Sequence, residues 1–134
     1  MYIDIDHFKQ VNDTFGHRIG DQVLRMVAQT LAGNVRAFDF VGRWGGEEFL
    51  VVVANVDQIG LNAFAEKLRS LVERSRLDVG GVEIQVTISV GSVLAKPDLN
   101  VENLVERADR LLYQSKNSGR NRITGAKEQA VWSF

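Results

Sequence analysis

A pair of adjacent glycines at positions 45–46 constrains the fold of this chain more than any other feature, because apolar runs flank it on both sides. The runs over 37–41 and 49–53 have strand-like composition, and paired glycines accept the positive φ angles of a tight two-residue turn. The sequence therefore predicts a β-hairpin here. Two carboxylates, Glu47 and Glu48, follow the glycines directly, and such neighbours repel each other unless a cation or a proton offsets their charge. The turn is therefore either a solvated hairpin tip or part of a cation site.

The composition is that of an ordinary soluble globular domain. The chain has 134 residues, of which 45% are hydrophobic and 25% are charged, and this length suits a single domain with one core. Its formal net charge of -1 gives no general attraction to nucleic acid or to acidic membranes, so neither is expected as a partner. The absence of cysteine excludes disulfides and thiolate metal sites and is typical of a cytoplasmic protein. No apolar run approaches the roughly 18 residues of a membrane span, and the N-terminal residues do not form a signal peptide.

Apolar periodicity predicts the order strand, helix, hairpin, helix, hairpin, helix, strand. This order predicts an α+β fold, a mixed α/β sandwich in which helices flank a central, mostly antiparallel sheet. The expected helix caps are Asn55 or Asp57 for the second helix and Asp98 or Asn100 for the third. The first predicted segments are a strand over 1–5, a polar turn over 7–16, a helix from about 20 to 31 and the hairpin above. They are followed by a helix with its apolar face from Leu61 to Val72 and with Arg69, Glu73 and Arg74 on its solvent side, and by a second hairpin over 77–93. The last segments are a helix that has its apolar face from Leu104 to Leu112 and ends at Lys116 and Gly119, and a short strand over 121–124.

Four carboxylates belong to two parts of the predicted sheet. Asp4 and Asp6 end the first strand, whereas Glu47 and Glu48 lie at the hairpin turn. If the hairpin borders the first strand, these carboxylates meet at one end of the sheet, although Asp6 has the alternative of a structural role facing away from the others. Hard cations such as Mg²⁺ or Mn²⁺ prefer a few carboxylates together with phosphate oxygens.

Cationic and glycine residues supply the other parts of a nucleotide site. Lys9, Lys116 and Arg120 are available to hold the outer phosphates. Gly45 and Gly46 let the backbone approach the phosphates without an intervening side chain. These residue types together are those that a metal-dependent nucleotidyl transfer site requires.

A series of short motifs runs along the chain. The motifs are Asp4-Ile5-Asp6-His7-Phe8-Lys9, Asn12-Asp13, Gly16-His17, Gly20-Asp21, Arg43-Trp44-Gly45-Gly46-Glu47-Glu48-Phe49, Ser89-Val90-Gly91, Ala108-Asp109, Leu112-Tyr113, Ser115-Lys116 and Gly119-Arg120-Asn121. In this order and spacing they resemble the GGDEF domains of bacterial diguanylate cyclases. The resemblance extends from Met1 to about Gly125, so a GGDEF domain is predicted over 1–125 and a C-terminal tail over 126–134. It implies a ferredoxin-like palm, as in nucleotide cyclases and the palms of polymerases.

The resemblance implies a metal and catalytic role for the residues at the hairpin and the first strand. Asp4 and Glu47 are implied as carboxylate ligands of Mg²⁺ or Mn²⁺, with help from the backbone carbonyl of Ile5. Glu47 and Glu48 are implied as catalytic residues. Glu48 is either a further metal ligand or the group that helps to deprotonate the attacking hydroxyl.

The resemblance also implies how the substrate is bound. Asn12 and Asp21 hydrogen-bond the guanine edge and so select GTP over ATP. The other implied substrate-binding residues are His17 in the nucleotide pocket, Lys9, Lys116 and Arg120 at the β- and γ-phosphates, Gly45 and Gly46 beside the phosphates, and Arg43 near the site.

The reaction that the resemblance implies joins two GTP molecules into cyclic di-GMP and releases two pyrophosphates. Each 3′-hydroxyl attacks the α-phosphate of the opposite GTP, with metal ions neutralising the developing charge. Each protomer holds one GTP, so the implied active form is a head-to-head homodimer.

Arg36 and Asp39 form an Arg-x-x-Asp pair five residues before the paired glycines. This spacing resembles the product-inhibition site of the family, and an arginine fork can bind a phosphate or a guanine edge through two hydrogen bonds. The alternative is a surface ion pair. The offset from the glycines favours a site for cyclic di-GMP.

The chain departs from the family pattern at its beginning. The family normally has a further segment and a helix before the Asp4-Ile5-Asp6 strand, and without that helix one sheet face is expected to expose apolar surface. Three functions are therefore weighed: a diguanylate cyclase, a module that binds GTP or cyclic di-GMP without turnover, and another palm-type nucleotidyltransferase. The two metal carboxylates favour the enzyme, the departure at the beginning favours the binding module, and the guanine-reading residues disfavour the third function.

Overall fold

The computed structural model describes residues 1–127. Four helices lie between groups of one to three strands along these residues, in an α+β arrangement. The elements are β1 (Tyr2–Ile5), α1 (Phe8–Phe15), α2 (His17–Ala32), β2 (Phe40–Gly45), β3 (Glu48–Val52), α3 (Gln58–Arg74), β4 (Leu77–Val79), β5 (Val82–Ile84), β6 (Ile88–Ser92), α4 (Val101–Asn117) and β7 (Arg122–Gly125).

The main sheet has the strand order β2-β3-β1-β6-β7, so the first strand of the chain lies at its centre. Neighbouring strands pair antiparallel except β6 and β7, which pair parallel. All four residues of β1 are buried, as a central strand covered on both faces requires. The predicted α+β class with a mostly antiparallel sheet is therefore confirmed.

Helices cover the sheet on both faces because successive side chains of a strand point to opposite sides. Ile3 belongs to the larger apolar cluster, together with Val27 of α2 and Leu68 of α3. Its neighbour Tyr2 belongs to a second cluster with Leu112 of α4. Helices α2 and α3 therefore pack on one face and α4 packs on the other.

The predicted turn over 7–16 is wrong, since this segment forms helix α1 and α2 begins at His17. Only two of its residues, Phe8 and Val11, bury a face against the core. Polar residues occupy most of the remaining positions, so the helical period has too few apolar points to be recognised. Gly16, with a φ of 87°, separates the two helices.

The second predicted hairpin is divided in the structure. Strands β4 and β5 form a separate two-stranded sheet, with the turn at Gly80 and Gly81 as predicted. The alternating arm that follows is β6, which belongs to the main sheet and is buried at all five positions. Its alternation predicted a solvent face, but Ser89 instead donates a hydrogen bond to Asp6, and Gly91 packs against the α4 backbone.

Two helix caps and the last strand are confirmed. The Asp57 carboxylate accepts a hydrogen bond from Gly60 N at 2.7 Å at the start of α3. The Asn100 side chain accepts from Asn103 N at 2.8 Å at the start of α4. The predicted tail lies mostly outside the described residues.

Phe40 and Val52 face each other across β2 and β3 and are both exposed. They lie on the same face of the sheet as α4 but away from it, because α4 contacts β1, β6 and β7.

Within residues 1–127, no helix is both long enough and apolar enough to cross a membrane.

Candidate active site

The register between β1 and β3 brings the first strand and the hairpin turn together. Asp4 pairs directly with Glu48, so their side chains share one face of the sheet. The next residue, Ile5, donates its backbone N–H to Glu47 O at 3.2 Å. Strand pairing therefore brings Asp4, Glu47 and Glu48 together at one end of the sheet, as predicted.

The hairpin turn lies one residue later than the paired glycines predict. Gly45 still pairs with Glu48, so the two turn residues are Gly46 and Glu47, and a β-bulge lies between Arg43 and Gly45. Gly46 has a φ of 24°, a region in which side chains are disfavoured. Arg43 Nε donates to Gly46 O at 2.9 Å and so closes the turn from one side.

Asp4 is a buried carboxylate surrounded by charge. Its side chain is 8% exposed, and Lys116 Nζ donates to its Oδ2 at 2.9 Å. Burial raises the pKa of Asp4, the Lys116 ammonium opposes this, and the charges of Glu47 and Glu48 raise the pKa further, so that it lies above the usual carboxyl value. A cation placed among these carboxylates would offset both the cost of burying the Asp4 charge and the repulsion between the carboxylates.

Glu48 is held by a residue that the sequence did not single out. The Tyr2 hydroxyl donates to Glu48 Oε2 at 2.9 Å. Burial raises the pKa of Tyr2, and the hydrogen bond to Glu48 raises it further, so the hydroxyl remains a donor. Tyr2 lies two residues before Asp4 on the same strand face, and this alternation is the one signal that could have found it.

Asp6 has a structural environment. Its carboxylate accepts hydrogen bonds from Thr87 Oγ1 at 2.7 Å, from Ser89 Oγ at 2.6 Å and from Asn121 N at 2.9 Å. The Asn121 side chain in turn contacts Arg69 Nη1 at 2.7 Å. Asp6 therefore joins β1 to the turn that precedes β7.

The donors predicted to bind metal are two carboxylates and one carbonyl, those of Asp4, Glu47 and Ile5. All are hard oxygen ligands of the kind that Mg²⁺ and Mn²⁺ prefer, so the donor set fits such an ion. Across residues 1–127, no three or more His, Cys, Asp and Glu side chains are grouped closely enough to hold a metal on their own. Phosphate oxygens of a nucleotide would have to complete the coordination.

The predicted phosphate-binding cations come from three elements. Lys116 lies in the last turn of α4, and Lys9 is exposed in the first turn of α1. Arg120 adopts a left-handed conformation with a φ of 62°, and its N–H donates to Ser115 O at 3.0 Å. Because Asn121 is bound to Asp6, Arg120 is held near the carboxyl end of β1.

The N-terminus of α1 was not expected, because the sequence predicted a turn over 7–16. His7, at its N-cap, has a φ of 55° and no side-chain capping bond. The first N–H groups of a helix lack intrahelical partners and favour anions. Helix α1 thus directs backbone donors to the region just beyond Asp4 and Ile5.

Packing of α1 on α2 brings the two predicted guanine-reading residues near each other. Asn12 lies on α1, and its amide oxygen rests against Gly20, the residue directly before Asp21 on α2. Asp21 lines a groove of about 480 Å³ between α2 and β2, together with Arg43 and Phe49. The predicted pocket residue His17 is exposed at the first position of α2.

Arg36 and Asp39 form an ion pair, with Arg36 Nε donating to Asp39 Oδ2 at 3.2 Å. The Asp39 side chain is fully shielded, whereas that of Arg36 is 59% exposed. Burial alone would raise the pKa of Asp39, but hydrogen bonds from Ala54 N and from Arg36 hold that pKa below its usual value. Arg36 also lines a cavity of about 290 Å³ with Lys67 of α3, a cation that sequence spacing could not connect to it.

Comparison with known proteins gives matches over nearly the whole chain. The family described as "Diguanylate cyclase, GGDEF domain" matches residues 1–122. Diguanylate cyclase A of Treponema denticola is 44% identical over 128 residues, which cover 95% of this chain and 34% of that protein. The chain therefore spans about a third of the length of this curated relative.

Solved structures agree with the sequence comparison. Diguanylate cyclase SiaD of Pseudomonas aeruginosa, in complex with its activator SiaC, matches with a TM-score of 0.90 and 38% identity over 93% of this chain and 48% of that one. The GGDEF domain of DgcB from Caulobacter crescentus, in complex with c-di-GMP, matches with a TM-score of 0.88 and 37% identity over 92% of this chain and 74% of that one. These neighbours share the palm-like fold that was predicted. The family match and the shared fold show that this chain belongs to the GGDEF-domain family of diguanylate cyclases.

Proposed function

We propose that this chain is the catalytic domain of a diguanylate cyclase, which condenses two GTP molecules into cyclic di-GMP and releases two pyrophosphates. The observation that carries the proposal is the pairing of Asp4 with Glu48, with Lys116 bound to Asp4. This arrangement supports the proposal, because two carboxylates, an ammonium group and the glycine turn lie at one end of the sheet. The domain extends over 1–125, and its substrate and fold class suit a cytoplasmic location.

In this proposal, Asp4, Glu47 and the Ile5 carbonyl hold Mg²⁺ or Mn²⁺. The bound ion would lower the pKa of the attacking 3′-hydroxyl and neutralise charge on the α-phosphate. Lys9, Lys116 and Arg120 bind the β- and γ-phosphates, with backbone N–H groups of α1 as further donors. This assignment gives the cations and backbone donors near the end of β1 partners on the triphosphate.

Glu48 acts at the reacting hydroxyl, either as a further ligand or as the base that removes its proton. The hydrogen bond from Tyr2 fixes the orientation of the Glu48 carboxylate. The Arg43 contact with Gly46 O keeps the turn closed, so that Gly45 and Gly46 leave room for the phosphates. Tyr2 and Arg43 are therefore positioning residues for Glu48 and for the turn.

Asn12 and Asp21 read the guanine edge, and His17 lines the same pocket. Each protomer binds one GTP, so two protomers must face each other before either 3′-hydroxyl reaches the opposite α-phosphate. The active form is therefore a homodimer. A site built to pair with a base edge rejects an analogue that leaves its polar groups unpaired, and this supports selection of GTP over ATP.

Arg36 and Asp39 form a separate site for the product, cyclic di-GMP. Their distance from Glu47 is set by β2, which rises by about 3.3 Å per residue when extended. Arg36 Nε and Nη2 donate to the shielded Asp39 carboxylate, and Nη2 also donates to Ala54 O at 2.5 Å, so Nη1 is the nitrogen that remains for a phosphate. Product bound here would inhibit by preventing the two GTP-loaded faces from meeting.

A second function, binding of GTP or cyclic di-GMP without turnover, is favoured by one specific observation. Lys116 donates a hydrogen bond to Asp4, and Tyr2 donates one to Glu48, so two of the carboxylates already have protein partners. A receptor would retain these contacts when the nucleotide binds. A cyclase must exchange the Lys116 contact for a metal ion.

The deciding experiment incubates the purified chain with GTP and Mg²⁺ and separates the nucleotides by chromatography. The cyclase proposal expects cyclic di-GMP and pyrophosphate from GTP, and no product from ATP. Asp4→Asn and Glu47→Gln are expected to abolish turnover while the far-ultraviolet circular dichroism remains that of the parent. GTP binding without product in a dimeric parent would instead establish the receptor, and near-parental turnover in either variant would overturn the metal assignment.

A further inference from the structure

We infer that Gly20 determines the nucleotide specificity of this domain, because the space left by its missing side chain is where the Asn12 amide sits. Gly20 is a positioning residue that acts through Asn12. The inference rests on the proposed function, which assigns Asn12 to the guanine edge. It adds to the guanine-binding residues a glycine, which has no side chain to form a hydrogen bond with the base.

The packing of α1 on α2 shows why this position has no room for a side chain. A Cβ atom built on Gly20 would lie 1.8 Å from Asn12 Oδ1 and 3.0 Å from Asn12 Cγ. Real Cβ atoms do not approach other atoms so closely, so any other residue here would have to displace the amide. The Phe8 ring is 3.4 Å from the same Cβ position, which is close to an ordinary contact. The conflict is therefore with Asn12 and not with the apolar core.

The backbone does not explain the glycine. Gly20 lies inside α2, and its N–H donates to Gly16 O at 3.1 Å. Its φ is outside the positive region in which glycine is favoured over other residues. In an ordinary helical conformation glycine is less favourable than alanine, because it loses more backbone freedom on folding. Space for the Asn12 amide is the remaining reason for a glycine here.

A clash with a half-buried side chain has a different outcome from a clash with backbone. At Gly91, a Cβ would meet the Ala108 carbonyl oxygen at 2.1 Å, so the strand or the helix would have to move. Asn12 can instead rotate towards solvent, since it is only half-buried. Gly20→Ala is therefore expected to keep the fold and to move the Asn12 amide away from its present place.

Moving the amide should weaken GTP but not ATP. An Asn amide presents both a donor and an acceptor, a combination that can match the guanine edge. Once the amide has rotated, guanine loses this pairing, and GTP affinity is expected to fall roughly tenfold. ATP gains nothing from the amide in the parent, so its affinity should not change.

The test titrates GTP and ATP, each with Mg²⁺, into the parent, Gly20→Ala, Asn12→Ala and the double variant by calorimetry. Gly20→Ala should lower GTP affinity roughly tenfold, and in the Asn12→Ala background it should have no further effect. Gly33→Ala is the matched control, because Gly33 caps the other end of the same helix, is exposed and has a helical φ of -73°. Its Cβ would lie 3.0 Å from Gln29 O, and no atom of Asn12 lies within 4 Å of it. The control should bind both nucleotides as the parent does.

A second measurement tests the position of Asn12 without any nucleotide. The side-chain amide signals of Asn12 in a ¹⁵N correlation spectrum, assigned by their loss in Asn12→Ala, should shift in Gly20→Ala and not in Gly33→Ala. Unshifted signals would overturn the inference even if the protein makes cyclic di-GMP. An equal GTP loss from Gly20→Ala in both backgrounds would overturn it as well, because the effect would not pass through Asn12. Equal binding of GTP and ATP by the parent would overturn the proposed guanine reading itself, and with it the specificity role of Gly20.

Discussion

Lys116 Nζ lies 2.9 Å from Asp4 Oδ2, although 112 residues separate the two along the chain. The contact joins the last turn of α4 to the central strand β1. It also means that an ammonium group and a metal ion would compete for the same carboxylate. Removing one competitor should therefore change the affinity for the other.

Lys116→Met should increase the affinity for Mg²⁺ in the absence of nucleotide. The substitution keeps the apolar stem and removes one positive charge from the carboxylate cluster. A unit charge about 4 Å away contributes at least about 1 kcal/mol, so Mg²⁺ should bind roughly fivefold more tightly or better. The measurement is the rise in the midpoint of thermal unfolding with Mg²⁺ concentration.

Lys96→Met is the matched control for this measurement, since Lys96 is exposed in the segment before α4. It should respond to Mg²⁺ as the parent does. An identical Mg²⁺ response of Lys116→Met and the parent would contradict the competition.

Tyr2→Phe should reduce turnover while leaving GTP binding close to the parental value. The change removes the hydroxyl that holds Glu48 Oε2 and keeps the ring that packs against α4. A displaced catalytic group can cost on the order of a hundredfold in rate, so kcat should fall between roughly tenfold and a hundredfold. Steady-state kinetics with GTP separate kcat from KM.

Tyr113→Phe removes a hydroxyl from a tyrosine that is 66% exposed on α4. Its kinetics should match those of the parent. A fall in GTP affinity with unchanged kcat in Tyr2→Phe would show that Tyr2 does not act through Glu48.

Arg36→Ala should lose cyclic di-GMP binding and keep GTP binding. A charge-assisted hydrogen bond contributes about 1.5–3 kcal/mol, so product affinity should fall roughly tenfold to a hundredfold. Titration calorimetry with each nucleotide measures both effects. Identical affinity for cyclic di-GMP in the parent and the variant would leave Arg36 and Asp39 as a surface ion pair.

Asp39→Asn should destabilise the protein at neutral pH, and the difference from the parent should shrink in acid. A carboxyl whose pKa is lowered in the folded state stabilises the fold above its unfolded pKa, and this contribution is lost as the pH falls through the folded pKa. The variant lacks this one ionising group and keeps the others, so the difference between the two proteins reports the titration of Asp39. Denaturant unfolding of both proteins from neutral to acid pH measures the difference, and a difference that stays constant would contradict the prediction.

The sequence predicts well those features that depend on local pattern. The caps Asp57 and Asn100 follow from residue type beside an apolar period, and the hairpin follows from glycines between two apolar runs. The convergence of Asp4 with Glu48 required one further assumption, that the hairpin borders the first strand. The register confirms it.

The features that the sequence could not predict depend on partners far away in the chain. Arg69 and Glu73 were expected on the solvent side of their helix, yet both bind Asn121, which lies beyond α4. No local pattern contains such a contact. The position of the turn also differs from the prediction. A β-bulge in β2 moves the turn onto Glu47, and such a bulge depends on how β2 and β3 twist against each other.

The placement of β1 and β7 in the sheet has a consequence for synthesis of the protein. Asp4 and Asp6 emerge from the ribosome before their partners Lys116 and Asn121, which follow 112 and 115 residues later. Contacts between such distant parts of a chain form late, because the loop between them must close first. The hydrogen bonds of Lys116 with Asp4 and of Asn121 with Asp6 can therefore form only after translation has passed Asn121, so the end of β1 gains its final surroundings late in synthesis of this domain.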